Sequence, residues 1–313
     1  MKTKRFLLST AAFIFSSVIS YAQYDPRQVL ELPKFKDIAA VKNRQPIVVV
    51  NEINPEIENK LKHNHKEDVI KDYEQILANY NDNMKYFMNK YWKYNSLPVL
   101  YKTRGEVDEL LKDKNNHEKY YCVFCYSAIG GYKNDFDWTI DKKGDKIEGS
   151  ATMFAVGYLG ESPFYKGGLG SLFTSATDLA FHVCMLNQCF DYINTHGEKA
   201  NLLEMFDANS HIISQKTLLI PEFRVDPKIK DHVGDYYPCK IKVVDKDEMD
   251  KMVTTGDENY VYGTDASYFW MVDCKTGAIA GYTLKHLGKE FKGGLEKDFF
   301  TEIAHYCGTA KKK

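Results

Sequence analysis

Two Lys-Gly-Gly-Leu runs, Lys166 to Leu169 and Lys292 to Leu295, carry the residue types best suited to hold a ligand. Glycine lets a backbone approach a ligand closely, a nearby helix N-terminus presents free N–H groups to an anion, and lysine adds positive charge. Neither run has the Gly-x-x-x-x-Gly-Lys-Ser/Thr spacing of a phosphate loop. Paired glycines also serve tight strand-to-helix turns, which is the simpler reading of Gly167, Gly168, Gly293 and Gly294. Trp138 and Trp270 hold matched positions, each two residues before Ile140 or Val272 on one strand face. Exposed, such a pair stacks on a sugar or another flat ligand, whereas alternation with aliphatic residues favours the core. Lys166, Gly167, Gly168, Lys292, Gly293, Gly294, Trp138 and Trp270 form the candidate ligand-binding set.

Other reactive residue types read as structural. Cys122-Val-Phe-Cys125 has redox spacing, but such chemistry needs the first thiol at a helix N-terminus. Tyr120 to Ala128 reads as a strand, which sends the two thiols to opposite faces. His182 with Cys184, and His305 with Cys307, lie in matched apolar helical runs without an orienting third residue for a nucleophile. His63 and His65 sit among Lys60, Lys62 and Lys66 in a polar connection. Asp135, Asp137, Asp141 and Asp145 miss the spacing of a calcium-binding hand. Asp141 and Asp273 read as turn residues. No catalytic residue, metal ligand or cofactor motif is singled out.

The elements that must position these residues come from an internal duplication. WTIDKKGDKI (Trp138 to Ile147) recurs as WMVDCKTGAI (Trp270 to Ile279), and YLGESPFYKGGL (Tyr158 to Leu169) as HLGKEFKGGL (His286 to Leu295). Flanking blocks follow in the same order: Gly105 to Leu111 resembles Asp247 to Val253, and Ala180 to Cys184 resembles Ala304 to Cys307. Pro55 and Ile57 correspond to Pro227 and Ile229. Repetition in one order predicts an α+β chain of two tandem pseudo-repeats. Each is a mixed β-sheet with packed helices in the sequence strand, crossover, strand, helix, strand, β-hairpin, helix. The first spans residues 23–198 and the second, shorter one 199–313. An amphipathic helix over 66–94, with Val69, Tyr73, Ile76, Leu77, Tyr80, Met84, Phe87 and Tyr91 on one stripe, is inserted in the first and missing from the second. It covers a core or meets a partner.

Residues 1–22 read as a signal peptide, with Lys2, Lys4 and Arg5 before the apolar run Phe6 to Ile19 and a small-x-small site at Ser20-Tyr21-Ala22. That run is shorter than the roughly 20 residues of a membrane span, and no later segment is more apolar. The ending Tyr-Ala-Gln resembles the signals of exported proteins of the Bacteroidota. The chain has 42 basic and 43 acidic side chains, so losing the three basic residues of the signal leaves it acidic. An acidic surface is a poor partner for nucleic acid. Seven cysteines are too few, for this length, to be the main source of stability, and most lie in apolar patterns typical of small core residues.

The expectation is a soluble protein of the periplasm or the medium, without a membrane span, a cofactor or a nucleic-acid partner. It binds an unknown small molecule or protein in a groove between the repeats and is not an enzyme. The alternative is a secreted or periplasmic hydrolase acting on cell-envelope or glycan material.

Overall fold

The β-branched run Ile47 to Val49 is fully buried, as expected of a strand covered on both faces by helices. In the computed structural model, which describes residues 30, 32–127, 152–168, 175–266, 268–283 and 294–308, it is an interior strand of the first of two sheets. Helix α1 (Phe35–Lys42) leads into β1 (Gln45–Val50). The crossover helices α2 (Pro55–His63) and α3 (Glu67–Tyr91) connect it to β2 (Leu100–Thr103), and α4 (Arg104–Leu111) leads to β3 (Tyr120–Ser127). Strands β4 (Thr152–Tyr158) and β5 (Tyr165–Gly168) follow, and α5 (Ala176–His196) closes the unit. The joint consists of α6 (Leu202–Asn209) and α7 (His211–Gln215). The second unit runs β6 (Thr217–Pro221), α8 (Val233–Tyr236), β7 (Ile241–Val244), α9 (Lys246–Thr255), β8 (Tyr260–Ala266), β9 (Tyr268–Asp273), β10 (Ile279–Thr283) and α10 (Lys297–Ile303).

The sheets have one topology. The first is ordered β2-β1-β3-β4-β5 and the second β7-β6-β8-β9-β10. In each, the first three strands are parallel and the last two antiparallel. The register agrees as well, since Gln45 pairs with Tyr120 and Thr217 with Tyr260. The fold is therefore α+β with two pseudo-repeats. Both lie within one compact unit, Pro33–Lys313, distinct from Met1–Leu32. Among the described residues no helix is long and apolar enough to cross a membrane.

One part of the expected correspondence shifts. The antiparallel partner of β3 is Thr152–Tyr158, and Lys166 to Gly168 belong to β5 rather than to a strand-to-helix turn. In the second run, the described Gly294 and Leu295 instead stand just before α10. Sequence likeness therefore paired two segments with different places in the two sheets. Trp138 and the aspartates from Asp135 to Asp145 lie outside the described residues.

The helices layer the two sheets. Val107 on α4 packs with Ile47, Val49, Cys122, Phe124 and Ala155 on one face of the first sheet. Helices α8 and α10 cover one face of the second, where Val233, Phe299 and Phe300 meet Leu218, Val261 and Met271. Between the remaining faces lies α5. Ser175 caps its start by accepting the Asp178 N–H at 3.1 Å, and its 21 residues hold no Gly or Pro. From Ala176 to Leu186 its buried positions run round the whole circumference, the mark of a segment enclosed on all sides. It packs against α1 and α3 of its own repeat and against α9 and β8 of the next.

The aromatic stripe of α3 serves the same junction. Tyr73, Leu77, Tyr80, Met84, Phe87 and Tyr91 are buried, so the stripe faces the protein's own core. At its end, Tyr91 donates to the carbonyl of Cys274 at 2.9 Å and Tyr86 to that of Thr254, both in the second repeat. Gln188 on α5 completes the seam. Its Nε2 donates to the Gly277 carbonyl at 2.5 Å and its Oε1 accepts from the Ile279 N–H at 3.2 Å. Replacing Gln188 by Ala strips a donor and an acceptor from the β9–β10 turn. Chemical denaturation is expected to show a loss of about 1–3 kcal/mol, the cost of unpairing partly buried backbone groups.

Candidate functional site

The parallel part of each sheet sends one connection to either side of its first strand. Ligands of open α/β sheets collect where such connections diverge, outside the carboxyl ends of the strands. In the second sheet that point lies between β6 and β8, and a cleft opens there with an internal volume of about 50 Å³. Its walls come from both repeats. Ser175, Thr177 and Asp178 at the start of α5 face Pro221, Phe223 and Arg224 after β6, Lys246 and Asp250 on α9, and Gly263 to Asp265 on β8.

The positive end of α5 is answered inside the protein. Asp250 accepts from the Thr177 N–H at 3.0 Å and from its hydroxyl at 2.6 Å, while Lys246 pairs with the other carboxylate oxygen at 3.0 Å. A carboxylate at a helix N-terminus is favoured by the helix dipole and the free amide hydrogens. The remaining charges interlock too. Thr264 donates to Asp178 at 3.2 Å, and Arg224 pairs with Asp265 at 3.4 Å. Arg224 also lies over the ring of Phe223, 5.1 Å from its centroid. Phe223 is 63% exposed, an unusual position for a phenylalanine, and it forms the rim of the cleft. Position and register make Asn51 its counterpart, six residues beyond the paired start of the strand in each repeat. Asn51 is buried, and its side-chain amide has no hydrogen-bond partner among the described residues.

Of the candidate residues read from the sequence, Gly167, Gly168, Gly294 and Trp270 are not among those that line this cleft. An added Cβ at Gly167 would lie 2.4 Å from Cε1 of His182, so the glycine admits the ring of a residue on α5. The Gly168 carbonyl receives His182 Nε2 at 3.1 Å. A carbonyl only accepts, so Nε2 carries the proton, Nδ1 is the acceptor, and Tyr165 donates to it at 3.1 Å. Phe154 stacks on the same imidazole at 5.1 Å. In the second run, Gly294 has φ +83°, and a Cβ there would lie 2.7 Å from the Asp226 nitrogen. The adjoining Leu295 exchanges backbone hydrogen bonds with Arg224 and Asp226 at 2.5 and 3.1 Å. The glycines thus prop the two walls, one through α5 and one through the Arg224 segment. Lys166 extends from the β5 edge strand, while Lys292 and Gly293 lie outside the described residues. Trp270 is 1% exposed and enclosed by Phe181, Phe206 and Tyr282. It is a core residue and presents no stacking platform.

The cysteines and histidines likewise settle into structure. Cys239 and Cys307 form a disulfide, and the other five cysteines are free and buried. Burial pushes the Cys122 thiol up to about 12 and raises Cys184 well above the ordinary thiol range, so neither offers a thiolate. His63 and His65 are exposed, and no group of three potential metal ligands converges among the described residues. Asp273 is both turn residue and buried ion-pair partner, accepting from Thr276 Oγ1 at 2.6 Å and pairing with Lys216.

The chain matches no protein-family model, no curated protein and no solved structure. The cleft residues therefore rest on geometry. Asp178 ends the capping-box-like run Ser175-Ala-Thr-Asp178 and Asp250 lies in a repeated block, but neither motif points to a cleft. Phe223 and Arg224 belong to no pattern; their exposure after a buried strand is visible only in three dimensions.

Enclosure of His182 carries a pH signature. Burial lowers its pKa to about 4, so between the ordinary value of about 6.5 and about 4 the unfolded chain binds a proton that the folded one refuses. Stability is full above that window and falls as the pH drops through it, by up to about 3 kcal/mol. His182→Gln keeps a donor for the Gly168 carbonyl but does not titrate. Denaturation between pH 7 and 4 is expected to show a flatter dependence for the variant, and equal slopes would refute the assignment.

Proposed function

We propose that this is an exported, soluble binding protein without catalytic activity, and that its ligand enters the cleft between the repeats. The observation that carries the reading is the cleft's place, at the diverging connections of the second sheet, with the exposed Phe223 on its rim. Such a position is where α/β sheets usually hold ligands, and an aromatic rim residue gives an apolar contact at small entropic cost. Export is supported by the signal-like residues 1–22 and by the Cys239–Cys307 disulfide, since disulfides persist in oxidising compartments.

The lining supports one class of ligand. Three carboxylates, Asp178, Asp250 and Asp265, outnumber Arg224 and Lys246. A small cleft with surplus acid suits an ammonium or guanidinium end group, and the apolar body attached to it lies against Phe223. Phenethylamine and 3-phenylpropionate separate this reading from its opposite, because they share an aromatic body and differ in the sign of the end group. Calorimetry is expected to detect the amine and not the acid. Phe223→Ala should weaken amine binding about tenfold while changing stability by less than about 0.5 kcal/mol. Equal affinity for both probes, no binding of either, or an unaffected variant would each remove the proposal.

A further inference from the structure

Within the cleft, Arg224 already makes the contacts that a cationic ligand would seek there. Its guanidinium lies over the ring of Phe223, 5.1 Å from the centroid, and pairs with Asp265 at 3.4 Å. A flat, delocalised and weakly hydrated cation suits an aromatic face and a carboxylate together, whereas an ammonium is a compact charge that holds its water. The other two carboxylates of the lining are engaged with the frame. Asp250 accepts from the N–H and the hydroxyl of Thr177 and pairs with Lys246, and the buried Asp178 accepts from Thr264. Arg224 and Asp265 keep 23% and 20% of their side-chain surface in solvent, so this pair stands where a ligand can reach it.

The other repeat shows that the fold does not require the pair. Register sets Asn51 and Glu52 in the places of Phe223 and Arg224, and Cys125 in that of Asp265. The first repeat thus forms the same parallel strands with an amide, an acid and a buried thiol where the second has a ring, a guanidinium and a carboxylate. The backbone at Arg224 is held independently of its side chain. Leu295 N–H donates to the Arg224 carbonyl, Asp226 N–H donates to the Leu295 carbonyl, and Val225 between them is buried. The side chain can therefore leave Asp265 while the wall stays in place. Exchanging one cation for another there is cheap, because ion pairs this near the surface contribute little to stability.

We infer that, given the cationic ligand proposed for the cleft, that ligand ends in a guanidinium and Arg224 holds its place until it arrives. The incoming group takes the Phe223 face and the Asp265 carboxylate, and Arg224 turns out into solvent. Only the fraction of molecules in which Arg224 has let go is competent to bind, so the measured affinity is the intrinsic one reduced by that fraction.

The test titrates the full mature chain with phenethylamine and with phenethylguanidine, which share a body and differ in the end group. Calorimetry is expected to show the guanidine bound about tenfold more tightly. Arg224→Gln removes the internal competitor and keeps the backbone anchor, and it should raise the affinity for both probes about fivefold. Comparing the probes on the unmodified chain needs no variant, so it decides the ligand class even if the Gln variant folds poorly. Acetyl-Phe-Arg-amide offers the same group from a peptide, and whichever guanidine binds more tightly tells a peptide side chain from a small guanidino compound as the source. A guanidine bound no better than the amine would overturn the ligand class, and unchanged or weakened binding by the variant would overturn the place-holding role. Both results leave a cation in the cleft; absence of binding by both cations would remove the cleft as a binding site altogether.

Discussion

Everything in this molecule is arranged around one helix that belongs to two cores at once. Helix α5 is synthesised as the closing element of the first repeat, and its His182 is enclosed by Tyr165, Gly168 and Phe154 of that sheet. Its other side carries Phe181 onto Trp270 and Asp178 onto Thr264 in the second. Two sheets built from similar sequences could have formed two separable domains. Because the first half of the helix, Ala176 to Leu186, is buried on every side, they form one body.

The cleft follows from the same constraint. A helix wedged between sheets must end somewhere, and the start of α5 ends at the carboxyl edge of β6 and β8. Its dipole is met by Asp250, which comes from the neighbouring repeat. Ion pairs then tie the surrounding charges together, so the walls are fixed before any ligand arrives. The long helix α3, present in one repeat only, adds its Tyr86 and Tyr91 to the same seam. Divergence between the copies has gone into joining them.

Much of the architecture was legible because it depends on local pattern. The β-branched run at Ile47, the apolar stripe of α3 and the cap at Ser175 each announce an element within a few residues. The order of elements in each repeat followed from the duplication. Strand β5 did not, because its Lys-Gly-Gly residues read as a turn rather than as an edge strand. Of the ligand set read from the Gly and Trp motifs, Gly167 admits the His182 ring, Gly294 admits the Arg224 backbone and Trp270 lies in the core. The cleft joins residues from 175 to 265 through tertiary packing, and no spacing rule spans that distance.

The shared helix also has a consequence for how the chain comes into being. When α5 has left the ribosome, its first-repeat side can pack at once, but the strands that cover its other side lie some 70 to 100 residues further on. Until they arrive, Phe181, Cys184 and their neighbours face outward as an apolar strip. Contacts this distant in sequence form slowly, and an exposed strip invites association in the interval. A chain of this design is therefore most vulnerable when half complete, and it has reason to be kept unfolded, or shielded by a chaperone, until its second half is in reach.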